Sequence, residues 1–577
     1  MPMLKDPSVK YKPFDPQLTL DDRQWPSKKL ISPPRWLSTD LRDGNQSLPD
    51  PMSVPEKKLY FQELVKIGFK EIEVAFPSAS QIDFDFTRWC VENAPKDVSI
   101  QVLSPCRPDL IKRTVESLHG AHRATIHIYL ATSACFRQIV FNMSEDETLA
   151  KATECATLVK ELTSKLPETH WSFEFSPETF SDTSPQFALR VCESVKNAWS
   201  PTVENPIIFN LPATVEMSTP NVYADQIEFF SRNISEREKV CISLHPHNDR
   251  GCAVAAAELA QLAGADRVEG CLFGNGERTG SVDLVTLALN LYTQGIHPNL
   301  DFSDMANVIE VVEKCNKIPV HPRAPYGGQL VVCAFSGSHQ DAIKKGFKKY
   351  EEQVQKTGDI TWKMPYLPLD PADIGRTYEA IIRVNSQSGK GGASWIILKN
   401  LELDLPRDLQ IDFSKFVQAE SEWKGRELKT SEIISLFKEK YFLYDENDEN
   451  DNETIAMLDI FHLTNYILSN ESKKERKIKA IINSKSKQID LIGTGNGPIS
   501  ALANAISEFF KTKFDVVHYN EHTLGTDSNS KAVGYMGIRV GSSNSITWGV
   551  GVDEDVTEAG MIALISALNS AIRDKKL

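Results

Sequence analysis

The sequence predicts an α/β protein built on a (β/α)8 TIM barrel, followed by a mixed helical linker region and a small α+β domain. Three observations carry that expectation. Eight apolar runs with strand character recur along the first half of the chain: RWLSTD (35–40), EIEVAF (71–76), SIQVLS (99–104), ATIHIYLA (124–131), HWSFEF (170–175), PIIFNL (206–211), KVCISLH (239–245) and DRVEGCLF (266–273). Helical patterns such as PEKKLYFQELVKIGF and NVYADQIEFFSRN lie between them, and that alternation marks parallel βαβ units. Polar and ionisable residues follow one strand-like run after another, and in a barrel those positions form a single mouth. An open doubly wound sheet is the alternative that the same alternation permits.

The organisation follows from the same pass. Residues 1–34 are rich in proline and charge and read as an extended N-terminal arm, and 35–310 form the barrel. Residues 311–485 are linker subdomains; the stretch 301–430 is mixed, helical first and then irregular, and the acidic run DENDENDNE (445–453) is a solvated loop by composition. From 486 to 577 a smaller unit starts with a strand (QIDLIGTG), a glycine-rich turn and a helix, continues through strands at FDVVHY, YMGIRVG and SITWGVG, and closes on a helix.

Composition narrows the function classes. With 41% hydrophobic and 25% charged residues the chain reads as a soluble globular protein. A net charge of -14 argues against nucleic-acid and membrane-surface binding, both of which need positive charge. No run is long and apolar enough for a membrane span, and the stretch MPMLKDPSVKYKPFDPQ lacks the apolar core of a signal peptide. The ten cysteines contain no CxxC pattern, which suits reduced thiols in a cytoplasmic enzyme.

The strand ends carry the chemistry. Arg42 and Asp43 follow the first strand, His127 lies on the fourth, Ser176 and Glu178 end the fifth, and Thr214 follows the sixth. The seventh carries His245 and His247, and the eighth runs into GNGERTGS (274–281). Residues i and i+2 of a strand share a face, so both imidazoles point the same way. Asp43, two strands round a closed barrel, then completes a set of two imidazoles and one carboxylate with open positions, the pattern of a catalytic metal site. Alone, the HxH pair reads more readily as two polar loop residues. Arg42 beside that site reads as a clamp for a carboxylate or a developing oxyanion. Glu178 is equally a helix cap, Thr214 a turn residue and His127 a satisfied core histidine. GNGERTG matches neither GxGxxG nor the P-loop, and its glycines suit a tight turn.

DLRDGNQSL, LHPHND and GNGERTG resemble the barrel acyltransferases that condense acetyl-CoA with a 2-oxo acid. WPSKKLISPPRWLSTDLRDGNQSL, AFPSASQIDFDF, NLPATVEMSTPNVYAD, YGGQLVVCAFSGSHQDAI and GRTYEAIIRVNSQSGKGG narrow the match to the longer bacterial and fungal form of the 2-isopropylmalate synthase family, over nearly the whole chain. The resemblance implies that Asp43, His245 and His247 hold a divalent ion (Mg2+, Mn2+ or Zn2+), with K+ as a further ion. It implies that Arg42, His127, Ser176 and Thr214 contact 3-methyl-2-oxobutanoate, and that Arg42, Glu178, His339 and Tyr378 serve the condensation with acetyl-CoA. His339 and Tyr378 lie beyond the barrel, so the linker subdomains contribute to the active site, and a homodimer is implied. Ser281 is a departure: the family has asparagine there, at a position that belongs with the metal, and a serine hydroxyl is a shorter and weaker ligand. The 486–577 unit resembles a leucine-sensing domain, with Gly493, Gly495, Asn496 and Gly497 placed before a helix whose N-terminal N–H groups suit a carboxylate. A glycine turn in a docking domain is the other reading.

Four rivals remain on this evidence. A citramalate or homocitrate synthase would share the barrel motifs, and a lyase of the same superfamily would lack the sensor-like tail. A metal hydrolase usually carries its HxH after the first strand. An amino-acid-binding protein would have no use for Asp43 beside two histidines.

Overall fold

The computed structural model describes residues 3–332, 334, 336–376, 390–425, 428–444, 459–472, 475–524, 530–541 and 545–577. The chain divides into two units, Met1–Val332 with Pro368–Thr377, and Cys333–Leu367 with Tyr378–Leu577.

The first unit holds the barrel. Its strands are β1 (Arg35–Ser38), β2 (Glu71–Ala75), β3 (Ser99–Pro105), β4 (Arg123–Ala131), β5 (His170–Glu178), β6 (Ile207–Ala213), β7 (Val240–Pro246) and β8 (Arg267–Gly270). They close in chain order, and β8 pairs back onto β1 with Val268 opposite Trp36. That last pairing rules out the open sheet. The helices between them start and stop where local chemistry dictates. In Val54–Ile67, the Ser53 backbone N–H donates to Glu56 at 2.6 Å as one half of a capping box, Pro55 occupies the first turn, and Gly68 ends the helix at φ 112°, a conformation that favours glycine. Tyr60, Phe61, Leu64 and Ile67 lie buried along that helix, at the three-to-four residue spacing of one face.

The strands of this barrel are two-faced. Ile72, Val74, Ile100, Val102, Ile126, Ile128, Phe173, Phe175, Phe209, Leu211, Ile242, Leu244 and Val268 belong to the apolar core of the unit. The alternate positions carry polar groups that meet one another: Arg267 on β8 bonds Glu174 on β5 at 2.7 Å, Gln101 on β3 at 2.8 Å and Glu71 on β2 at 2.9 Å. One side chain touching strands on opposite sides of the ring must lie inside it. The end of the N-terminal arm is docked on this unit. Arg23 pairs two-pronged with Asp225, and the Trp25 indole donates to the same carboxylate at 2.9 Å. The backbone N–H groups of Gln24 and Trp25 donate to Glu228, both carboxylates lying on the helix Pro220–Asn233.

The second unit is helical first: Gly337–Thr357, Lys390–Leu401, Arg407–Lys424 and Thr430–Tyr441. Described residues 358–376 hold only the short 3-10 turn Pro371–Ile374 and match the expected irregular part, whereas the helices from Lys390 to Tyr441 were not expected. Leu409, Phe413 and Val417 bury one face of Arg407–Lys424 at a spacing of four, a helical period too short and too diluted by charge to stand out. Three-strand, one-helix modules follow twice. Strands β9 (His462–Ser472), β10 (Glu475–Asn483) and β11 (Gln488–Gly495) precede the helix Pro498–Phe510. Strands β12 (Phe514–Leu524), β13 (Lys531–Val540) and β14 (Thr547–Asp553) precede Val556–Arg573. One apolar core joins the two modules, with Ile478, Leu491 and Ile506 from the first and Met536, Met561 and Leu564 from the second. The acidic run 445–453 lies outside the described residues. No helix among the described residues is long and apolar enough to cross a membrane.

Candidate metal centre and active site

At the exit of β1 the chain makes a wide turn, closed by the Gly44 N–H donating to the Thr39 carbonyl at 3.1 Å, a bond spanning five residues. On a strand, neighbours face opposite ways. Here Arg42 and Asp43, though adjacent, both line the mouth. His245 lies on β7 and His247 just past its end, held there by its N–H to the Ala213 carbonyl at 3.1 Å and by a bridge to Ser281. The two imidazoles lie 5.4 Å apart between ring centres, as i and i+2 on one face require. One donor atom from each of Asp43, His245 and His247 lies within 4.8 Å of the others, and all three residues are buried.

The surroundings fit a cation. His245 Nδ1 lies 3.3 Å from Glu269 and Nε2 lies 3.3 Å from Asp43. A carboxylate on the far ring nitrogen fixes the tautomer and directs the other nitrogen at the ion, the usual outer-sphere arrangement of a metal-binding histidine. His247 Nδ1 and the Ser281 hydroxyl are buried and accept or donate no hydrogen bond among the described residues, and buried polar atoms left unpaired are costly unless something else occupies the site. Inside the ring, Arg35, Arg42 and Arg267 face the carboxylates of Asp43, Glu71, Glu73, Glu174 and Glu269. The arginines are outnumbered; burial, with the charge of Glu269, pushes Glu174 up to about 7, and protonated histidines or a divalent ion can balance the excess that remains.

The metal-free electrostatics agree. Burial opposes the charge on His245, but its hydrogen bonds to Asp43 and Glu269 outweigh that and push the imidazole up to about 10. Burial, reinforced by the charge of His245, pulls His247 down to about 4. Burial also opposes ionisation of Asp43, and the Arg42 guanidinium with the His245 hydrogen bond overrides it, holding the carboxyl well below the usual range.

Beside this set lie the other groups read from the sequence. His127 Nδ1 is 2.7 Å from Glu73 and Nε2 is 2.7 Å from the Ser176 hydroxyl. Arg42 spans Asp43, at 2.8 Å, and Glu73. Thr214 Oγ1 accepts the Thr179 N–H at 2.9 Å. Glu178 lines the mouth, and burial raises its carboxyl although Arg42 works against the rise. Arg42, Asp43, His127, Ser176, Glu178, Thr214, His245 and His247 therefore share one cavity. Ser281 does not line it and is buried beside His247 instead. His339 belongs to the second unit, exposed on Gly337–Thr357 with its ring stacked on Tyr366 at 4.0 Å between centres. Tyr378 lies outside the described residues.

The sequence reading missed Glu73 and Glu269, the carboxylates that hold Arg42, His127 and His245. The signal was present: EIEVAF, SIQVLS, HWSFEF and DRVEGCLF each place polar residues at alternate positions of an otherwise apolar strand, which is the mark of a polar interior face.

At the glycine turn the geometry is different. A Cβ on Gly493 would come within 2.5 Å of the Ala501 carbonyl, and one on Gly495 would strike Ser500 Oγ. These two glycines let β11 lie against the helix that follows. Gly497 has open space around a would-be Cβ. Its N–H donates to Ser500 Oγ at 3.2 Å, and that hydroxyl donates to Asn496 Oδ1 at 2.6 Å.

Fold and site together define a closed (β/α)8 barrel with a candidate metal centre at its mouth, and residues 33–312 match the HMGL-like family. Residues 329–398 match the alpha-isopropylmalate synthase post-catalytic domain and 427–572 the LeuA allosteric (dimerisation) domain. The chain is 59% identical to a 2-isopropylmalate synthase of Saccharomyces cerevisiae, covering 99% of this chain and 91% of the relative. It is 55% identical to that of Schizosaccharomyces pombe (99% and 97%) and 50% identical to that of a Marinomonas species (99% and 100%). The chain belongs to the 2-isopropylmalate synthase family.

Proposed function

We propose that this protein condenses acetyl-CoA with 3-methyl-2-oxobutanoate to give 2-isopropylmalate and CoA, the first committed step of leucine synthesis. The observation that carries the reading is the convergence of Asp43, His245 and His247 beside Arg42 in one barrel mouth, in a chain whose full-length relatives are named for this synthesis. The citramalate and homocitrate alternatives have no such support.

Asp43, His245 and His247 hold a divalent ion, Mg2+, Mn2+ or Zn2+, with Ser281 near enough in the chain's layout to complete the set through its hydroxyl or a water. When bound, the ion supplies Lewis-acid polarisation of the keto oxygen. Arg42, locked by Asp43 and Glu73, binds the oxo acid's carboxylate or keto oxygen and stabilises the negative charge that grows there. His127, Ser176 and Thr214 orient the oxo acid. A base takes a proton from the acetyl methyl, the new carbon–carbon bond forms at the keto carbon, and water then hydrolyses the thioester and releases CoA. His339 is the assigned base, since an imidazole can take up and return a proton. Glu178, its carboxyl raised by burial, assists, and Tyr378 orients the water or donates a proton.

The rest of the reading follows the family. The protein acts as a homodimer in the cytoplasm, although one Saccharomyces cerevisiae relative is named mitochondrial. K+ is a further ion, and leucine binds the Gly493–Gly495–Asn496–Gly497 turn to inhibit. Thiol release from acetyl-CoA, measured with a panel of 2-oxo acids with and without leucine, tests these assignments. Selective turnover of 3-methyl-2-oxobutanoate and inhibition by leucine are expected. Preference for pyruvate or 2-oxoglutarate would overturn the substrate assignment.

A further inference from the structure

We propose that Asp40 and Tyr60 are positioning residues for the metal-binding mouth, a buried pair that fixes the direction of Arg42 and Asp43. The inference rests on the reading of that mouth given above and extends it to residues that do not line the cavity.

Arg42 and Asp43 reach the mouth together only because the chain leaves its strand at Thr39 and turns. That turn is closed by two backbone bonds to one acceptor, Arg42 N–H and Gly44 N–H to the Thr39 carbonyl, each 3.1 Å. Such a wide turn is uncommon and has little stability of its own, so its shape must be imposed from outside. Asp40, only 1% exposed, is placed to do that. One carboxylate oxygen accepts the Tyr60 hydroxyl at 2.7 Å and the Leu272 N–H at 3.0 Å, and the other accepts the Ser38 hydroxyl at 2.7 Å.

These contacts join three parts of the ring. Ser38 ends β1. Tyr60, fully buried, lies on the helix between β1 and β2. Leu272 lies just past β8, where the chain starts the loop that carries Glu277 and Arg278 along the mouth and ends at Ser281, bridged to His247. A single carboxylate thus sets the β1 exit, with Arg42 and Asp43, against the β8 exit. Packing beneath the turn is tight: a Cβ on Gly44 would lie 3.2 Å from Cys271 Sγ and 3.1 Å from Asn275 Nδ2. A side chain at this position would need Cys271 or Asn275 to give way.

The hydrogen-bond donors around Asp40 are neutral. Burial pushes its carboxyl up to about 7, and a buried carboxyl without a cation is a costly way to fill space. Placing Arg42 and Asp43 gives that cost a function that filling the core does not.

The test uses the full-length protein and Mn2+ as the calorimetric probe, with kcat and the KM values measured alongside. Tyr60→Phe keeps the ring and removes only the hydroxyl. It is expected to weaken Mn2+ binding about tenfold, as loss of an outer-sphere partner does, and to lower kcat while KM for acetyl-CoA is unchanged. Asp40→Asn is expected to move both quantities the same way, and the double variant to be no worse than the worse single, because the Tyr60 bond is one of those that Asp40 makes. Tyr326→Phe, which removes a 2.7 Å bond to Asn290 outside the mouth's lining, is expected to leave Mn2+ affinity unchanged. If Asp40→Asn does not fold, Tyr60→Phe decides. A Tyr60→Phe protein that binds Mn2+ as tightly as wild type, even with a lowered Tm, overturns the proposal. Wild-type protein that fails to bind Mn2+ overturns the metal reading itself and is told apart by that.

Discussion

The barrel mouth and the glycine turn at the end of β11 were both read from the sequence as binding sites, and the structure treats them differently. At the mouth, polar and ionisable groups from six strands and the turns that follow them face one cavity, and two buried polar atoms, His247 Nδ1 and Ser281 Oγ, are left without a hydrogen bond among the described residues. At the turn, Gly493 and Gly495 are accounted for by the approach of the strand to its helix, and Asn496, Gly497 and Ser500 bond one another. The unpaired atoms at the mouth fit an ion, whereas the polar groups of the turn pair with one another; there only Gly497, with space around it, is left over from packing.

That contrast is open to direct challenge, and the largest effect is expected at the ligands. Asp43→Ala or His247→Ala removes a metal position and is expected to lower kcat/KM about 1,000-fold or more, since Lewis-acid stabilisation is worth several kcal/mol. Steady-state thiol release measures it. Arg42→Lys keeps the charge but loses the planar fork that spans Asp43 and Glu73. A loss of about 100-fold in kcat is expected, comparable to removing one oxyanion donor, and a wild-type rate would place Arg42 outside the chemistry.

The next effect is one of pH. With His245 held at about 10 in the metal-free protein, the imidazole carries a proton at neutral pH that the ion must displace. Affinity for Mn2+ is then expected to rise about tenfold per pH unit from 7 towards 10, with release of about one proton per ion. Calorimetry in buffers of different ionisation enthalpy reads that proton, and binding without release would show that His245 is neutral beforehand.

The smallest effects separate packing from sensing at the turn. Gly495→Ala drives a Cβ into Ser500 and is expected to destabilise the second unit by about 1–3 kcal/mol, seen in thermal unfolding. Gly497→Ala meets nothing and is expected to change stability by less than about 0.5 kcal/mol. A lost response to leucine in Gly497→Ala at unchanged Tm would then speak for ligand contact, while an intact response would move leucine elsewhere.

The barrel was legible because its strands are long apolar runs at regular spacing, and HxH on the seventh strand was legible because a two-residue period needs no tertiary knowledge. Ring closure then brought Asp43 to the pair. Glu73 and Glu269 were harder, since a glutamate inside an apolar run looks like an error in a core until the strand's other face is known to be polar. Strands β9 and β10 went unread for the opposite reason: both are rich in polar residues, and β9 is largely exposed, with Ile467 63% exposed. Their hydrophobic alternation is diluted by lysine, asparagine and serine. Asp40 and Tyr60 could not be paired from sequence at all, because nothing in a local pattern says which buried hydroxyl a buried carboxylate will meet.

Metal dependence of thiol release is the measurement that bears most directly on the central claim. Protein stripped with a chelator, assayed with acetyl-CoA and 3-methyl-2-oxobutanoate, is expected to release no CoA above background and to recover when Mg2+ or Mn2+ is returned, with no recovery in Asp43→Ala. Full turnover in the presence of chelator, or recovery undiminished in Asp43→Ala, would contradict the assignment of Asp43, His245 and His247 as the metal centre.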